Sequence, residues 1–334
     1  MEVGQYVDAV KRSCASMGCM VILDSWVDVH GRSFLNIIFH SLKGAILVNT
    51  IELPKDELTE RSVVDQLQST MDEIGLHKVV QFISNDLRNH EPLQKTLFQR
   101  HPGTYMTFCA AQGIQLLFAY IFQQVKWFGR TMCDVKLAND YLHEYAESLS
   151  LSVKFGGKRE LGDVLPNGLA ANFRMVQCIH NAKSEIQRLV ASTEWRESGH
   201  LEEETASKVV FIVESPQFWS QCQEVLQVLE PLFGVYCLSH NTNSATPYLY
   251  ELMERVRESL EGLSDSDDGK YECIRKLYYG MRAKLIHPVH VAAASLNSSY
   301  FLSDNFQENE QIKDGIDYVL QNMVADEDQE AFME

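Results

Sequence analysis

At 334 residues, with 45% hydrophobic and 22% charged residues, the chain is long enough for two domains or for one carrying a large insertion, and its composition is that of a folded soluble protein. A net charge of −17 repels phosphate over the averaged surface, so bulk charge excludes nucleic-acid binding unless a local basic patch supplies it. Eight cysteines are scattered singly, with no Cys-x-x-Cys pair, which fits reduced thiols in the cytosol or nucleus and not a disulfide framework.

The opening residues, Met1 to Tyr6, lack a basic stretch followed by an apolar one and do not read as a secretory signal. Gln5 to Met17 is expected to form a helix, with Tyr6, Val7, Val10 and Cys14 on one side. Three β-branched and aromatic runs follow, separated by His30-Gly31-Arg32 and Leu42-Lys43-Gly44, and predict a three-stranded antiparallel meander. Asp24 sits in the first run among Val21, Ile22, Leu23 and Trp26. A carboxylate there is costly to desolvate, so it requires a metal, a donor or a partner; the plainer reading is a strand-end Asp bonded to a neighbouring loop.

After a polar loop at Pro54, Thr59 begins a helix with Val63, Val64, Leu67, Met71 and Ile74 at helical spacing and Gly75 at its end. Lys78 to Ser84 then reads as a short strand. A right-handed crossover places it parallel to the first strand and beside it, with its carboxyl end next to Asp24. Pro92 to Gln99 and Cys133 to Leu149 read as helices. The uncharged segment Thr104 to Phe122 reads as a buried helix and not a membrane span, because Thr107, Gln112 and Gln115 interrupt it. Gly156-Gly157 is a candidate boundary, dividing residues 1–150 from a mostly helical region, 151–323, and an acidic tail, 324–334.

Helices are expected over Asn172 to Ser192, Glu202 to Val213, Ser215 to Ser239, Pro247 to Glu261 and Lys270 to Leu285. Glu202 to Glu204 read as a solvated helix start, and Ser264 to Gly269 as an acidic loop without the spacing of a calcium site. Cys14, Cys19 and His30 lack the second ligand pair a zinc site needs, and His287 and His290 around Pro288 read as a helix start. Trp195, Phe218 and Trp219 could stack bases, but acids and not bases surround them, so they read as core or as contacts for a partner. The strongest basic group, Arg275 to Arg282 with Lys284, reads as an ordinary charged helix face. No phosphate-binding glycine loop or Ser/His/Asp arrangement stands out.

In order and spacing, several fragments resemble the ribonuclease H-like core of hAT-superfamily transposases, in particular transposase-derived plant proteins. They are Gly18-Cys19 leading to Asp24-Ser25-Trp26 and Asp28, Gly31-Arg32-Ser33, Val79-Val80-Gln81, Cys109-Ala110-Ala111, Phe173, Glu194-Trp195, Phe218-Trp219 and His287 to Ala294. The resemblance implies an α/β fold: a ribonuclease H-like mixed five-stranded sheet flanked by helices, interrupted before or around its fifth strand by a large helical insertion. It also implies DNA cleavage by three carboxylates holding two divalent metals, since two cations at close range need several negative oxygens.

Asp24 matches the first of these carboxylates. Where the second belongs, in a Thr-Asp-Asn type sequence, this chain has Ser84-Asn85-Asp86, so Asn85 takes the position and Asp86 compensates only if the backbone turns. The third, in a Ser-Glu-Arg segment, has no counterpart in these residues. Gln112-Gly113 replaces a His-Cys pair, and Ala171-Asn172 stands where a Thr-Arg pair precedes the aromatic Phe173. These losses lead to the expectation of a domesticated transposase relative, no longer an enzyme, that binds other proteins. The resemblance places it in the nucleus, with the cytoplasm as the alternative. No cofactor is expected, Mg²⁺ entering only if the remnant site of Asp24, Asn85 and Asp86 still works. A DNA-binding regulator and a residual nuclease are the alternative functions, nucleic acid being disfavoured by net charge, and no membrane association is expected.

Overall fold

A computed structural model of the chain describes residues 3–53, 60–74, 78–86, 90–148, 168–193, 195, 204–239, 246–263, 269–302 and 309–333. The candidate boundary at Gly156-Gly157 and the residues Glu194, Glu202 and Glu203 lie outside them. Two compact units make up the fold: residues 1–113 with 246–248 and 283–334, and residues 114–245 with 249–282.

The first unit begins with helix α1 (Val3–Met17) and the expected meander of β1 (Cys19–Val27), β2 (Ser33–Ser41) and β3 (Gly44–Leu53). Helix α2 (Glu60–Ile74) crosses to β4 (Val79–Ser84), and α3 (His90–Arg100) leads to β5 (Tyr105–Phe108). The sheet order is β3-β2-β1-β4-β5, with β1, β2 and β3 antiparallel in turn and β4 parallel to both β1 and β5. This is the mixed, ribonuclease H-like arrangement expected, with β4 beside β1. Two positions differ from expectation. Tyr105–Phe108 is a fifth strand where the sequence predicts a helix from Thr104, and the helical region follows directly after that strand, so of the two expected placements it is not the one before it.

Alternation along the strands gives the sheet two faces. Val21 and Leu23, Leu35, Ile37 and Phe39, Phe82 and Met106 form one face. They pack against Val10 and Cys14 of α1, Val64, Leu67 and Met71 of α2, and Leu97 of α3. Burying a side chain of this size contributes about 1.5–3 kcal/mol, so this layer holds the unit together. On the other face Tyr105 stacks on His287, with ring centroids 5.2 Å apart. His287 caps a short helix, Pro288–Ser295, which packs on the helix Glu310–Met323. The acidic end forms a 3-10 turn, Asp326–Asp328, and a short helix, Gln329–Met333.

The second unit is helical: most of α4 (Ala110–Gln124), then α5 (Lys126–Ser148), α6 (Leu169–Asn181), α7 (Lys183–Val190), α8 (Glu204–Glu214), α9 (Pro216–Ser239) and the larger parts of α10 (Thr246–Gly262) and α11 (Glu272–Leu285). Its long central helix α9 packs on α5, α6 and α8. Phe173 stacks on Phe233 at 4.5 Å across the α6–α9 contact. No described helix is long and apolar enough to cross a membrane.

Candidate functional site

Asp24 lies in β1 opposite Asn36 of β2, on the face that α1, α2 and α3 leave uncovered, and it is half-buried. Strand β4 ends beside it. The last backbone rung there runs from the N–H of Asn85 to the carbonyl of Leu23, at 3.4 Å. Beyond that rung the Asn85 side chain continues the ladder: the N–H of Ser25 donates to Asn85 Oδ1 at 2.8 Å, and Asn85 Nδ2 donates to the Ser25 carbonyl at 2.9 Å. A primary amide presents the same donor and acceptor as a peptide group, so it can bond to both sides of Ser25.

Those two bonds fix which way the amide faces. With Oδ1 on the Ser25 N–H, the nitrogen points at Asp24 and donates to Oδ1 of its carboxylate at 2.8 Å. The other carboxylate oxygen accepts from Asn36 Nδ2 at 3.2 Å, and Asn36 Oδ1 in turn accepts from the hydroxyl of Thr50 at 2.9 Å. Thr50, Asn36, Asp24 and Asn85 therefore form one hydrogen-bonded line across β3, β2, β1 and β4. Of the three remnant residues read from the sequence, the structure brings Asp24 and Asn85 into contact. Asp86 follows the bend; its N–H donates to Ser84 Oγ at 3.1 Å.

A two-metal centre needs carboxylate oxygens turned toward the cations. Here both oxygens of Asp24 accept from neutral amides, and Asn85 turns an NH₂ group, not an oxygen, toward the carboxylate. Among the described residues no group of three His, Cys, Asp or Glu side chains is placed to hold a metal ion. The described residues around Asp24 do not fit a two-metal site.

At the same strand ends a cleft of about 230 Å³ opens on the helix-covered face. Leu23, Leu35, Leu53, Val63 and Leu93 line it with Ser25, Ser84 and Asp86. Trp26 and Phe34, stacked with centroids 4.7 Å apart, form one wall. Sequence reasoning missed Asn36, Thr50 and the cleft. The only signal for the two polar residues is strand register, which sequence does not print.

The other residues singled out from sequence have structural roles. Trp195, Phe218 and Trp219 are 0%, 5% and 3% exposed, so they are core of the second unit and not surface for a partner. Trp219 Nε1 donates to the Val213 carbonyl at 2.8 Å. Cys14 and Cys19 are buried, and burial pushes the Cys19 thiol up to about 12, while His30 is exposed in the β1–β2 turn. Three members of the basic group on α11 are engaged: Arg282 binds Glu254 and Lys276 binds Glu272, and Arg275 donates to the Leu260 carbonyl. His287 and His290 form the expected helix start. Nδ1 of His287 accepts from the Val289 N–H at 3.3 Å, and Nδ1 of His290 from the His287 N–H at 3.1 Å. Burial pushes both imidazoles down to about 4, and each stays neutral as its acceptor role requires.

A family described as a domain of unknown function (DUF659) matches residues 1–137, which span the whole sheet and run into α5. No curated protein matches the chain.

Proposed function

We propose, from the match over the sheet and from the geometry at Asp24, that the chain is a transposase-derived protein whose ribonuclease H-like frame no longer performs strand transfer and serves as a protein-interaction module. The observation that carries this reading is Asn85, an amide where the resemblance places a carboxylate, bonded so that its nitrogen faces Asp24. The apolar layer between the sheet and α1 to α3 is intact, as needed for folding. Ion pairing of the α11 basic group and the net charge of −17 favour proteins over nucleic acid as partners. The nucleus is the proposed location, and a fluorescent fusion in native cells tests it.

The chemical half of the proposal is tested with the purified full chain, supercoiled plasmid and Mg²⁺ or Mn²⁺. No nicking above a metal-free control is expected. Reproducible metal-dependent nicking that disappears in Asp24→Ala would overturn the proposal.

A further inference from the structure

We propose that Cys14 and Cys19 are a peroxide-sensitive thiol pair that closes into a disulfide inside the folded chain and ties the end of α1 to the start of β1. The backbone brings them together. Gly18, at φ +87°, ends α1, and its N–H donates to the Cys14 carbonyl at 3.0 Å. In a helix end of this kind the residue after the glycine packs against the residue whose carbonyl accepts that bond. Here those two residues are Cys19 and Cys14. The N–H of Cys19 donates in turn to the Lys78 carbonyl at 3.0 Å, which fixes the strand start beside β4.

Both side chains are buried, at 0% and 3% exposure, and their sulfurs are hydrogen-bonded to each other. Burial raises both thiols, but the contact between them acts in opposite directions. It favours the thiolate of Cys14, the acceptor, and disfavours that of Cys19, the donor. The side chain of Ser41, buried at the end of β2, also bonds to Cys14 in the sense that favours its thiolate. Cys14 is therefore the sulfur that reacts first, and Cys19 the one that resolves it.

The oxidant is hydrogen peroxide. The Cys14 thiolate attacks one peroxide oxygen and the O–O bond breaks. The departing hydroxide takes up the proton that Cys14 gave up, leaving a sulfenic acid and one water. The sulfur of Cys19 then attacks that of Cys14: the S–S bond forms, the S–O bond breaks, and the hydroxide leaves with the Cys19 proton as a second water. The two thiols lose two electrons and one peroxide gains them. Access limits the rate. Ala15, Ser16 and Met17, in the last turn of α1, are exposed, so local opening of that turn brings peroxide to Cys14 without global unfolding. Because the resolving thiol is in contact, the reaction stops at the disulfide and does not run on to the sulfinic acid.

The test treats the reduced full chain with hydrogen peroxide, alkylates the remaining free thiols and digests with trypsin. Cleavage after Arg12 and Arg32 releases Cys14 and Cys19, and no other cysteine, in one peptide, Ser13 to Arg32. That peptide is expected to escape alkylation and to be about 2 Da lighter than its dithiol form. Dithiothreitol before alkylation should restore labelling of both cysteines, and the near-UV circular dichroism of the oxidised chain should match that of the reduced one. The proposal is overturned if the peptide stays a dithiol while the exposed Cys133 and Cys237 are oxidised, or if it gains about 32 Da as a sulfinic acid. A disulfide that forms only with loss of the near-UV signal overturns it too. In Cys19→Ser a 1,3-diketone should label Cys14 as its sulfenic acid, and in Cys14→Ser it should leave Cys19 unlabelled; the opposite pattern overturns the assigned order of attack. The wild-type peptide decides the pair if either variant fails to fold.

Discussion

Asn85→Asp restores a carboxylate at the end of β4 and is the sharpest probe of the Asp24 geometry. The Ser25 N–H keeps an acceptor, but two bonds donated by Asn85 Nδ2 vanish, those to the Ser25 carbonyl at 2.9 Å and to Asp24 at 2.8 Å. Losing hydrogen bonds of this kind costs about 0.5–1.5 kcal/mol when neutral and 1.5–3 kcal/mol when the acceptor is charged. Two carboxylates would now face each other, an interaction of about 4 kcal/mol at 4 Å and an effective dielectric of 20, reduced because both groups are half-exposed and can turn toward water. A net destabilisation of about 3 kcal/mol at pH 7 follows. Near pH 4 the pair can share a proton, so the loss should be smallest there and grow toward neutrality. A divalent cation seated between the two carboxylates should recover about 1.4 kcal/mol at ten times its dissociation constant. Urea unfolding of wild type and variant, with and without Mg²⁺ or Mn²⁺, reads all three effects. A variant as stable as the wild type at pH 7, or a wild type stabilised by the cations as much as the variant, refutes the reasoning.

Other expected outcomes follow from the same contacts. Asp24→Ala takes the carboxylate acceptor from the Nδ2 groups of Asn36 and Asn85, the latter keeping the Ser25 carbonyl, and should lower stability by about 1–3 kcal/mol in urea titrations without any metal dependence. Trp219→Ala should cost about 3–5 kcal/mol through loss of a buried ring, and a folded variant that instead loses only a partner would contradict its place in the core. His287 and His290 are held near 4, below the unfolded value of about 6.5, so the unfolded chain binds more protons between those limits. Stability should therefore be fully present above about pH 6.5 and fall toward pH 4, by up to about 3 kcal/mol per ring. His287→Asn, which keeps an N-cap acceptor, should flatten that slope in pH-dependent unfolding. Gly315→Ala puts a Cβ 2.9 Å from the Pro288 carbonyl oxygen and should loosen the packing of Glu310–Met323 on Pro288–Ser295, lowering the melting temperature.

The meander was legible because its three runs alternate between faces and are parted by glycines that the turns require: Gly31 and Gly44 have φ of +75° and +121°. The fourth strand was legible because chain handedness leaves one place for it. The fifth was not. Tyr105–Phe108 is buried on both faces and runs through Cys109 into the apolar helix that starts at Ala110, so hydrophobic period cannot separate a short buried strand from the helix after it. At the site, Asp24 announced itself as a charge inside a strand. Asn36 and Thr50 look like ordinary polar alternation, and only the register that sets Asp24 against Asn36, and Asn36 against Thr50, makes them its partners.

That register also accounts for a carboxylate at position 24 without catalysis. If Asn85 serves to continue the β1–β4 ladder at Ser25, its second amide hydrogen still needs an acceptor, and so does the amide of Asn36 from the other side. A carboxylate is acceptor-only, with two oxygens splayed toward the two flanking strands, and so meets both demands at once. Asparagine at 24 would turn an NH₂ toward one of those donors, and alanine would leave both partly buried donors without this partner. Asp24→Asn should therefore be destabilising although it removes a charge from an acidic chain, whereas a site kept for metal alone would become more stable without the cation once that charge is gone. Measuring the sign of that stability change in metal-free buffer separates a structural acceptor from a catalytic remnant.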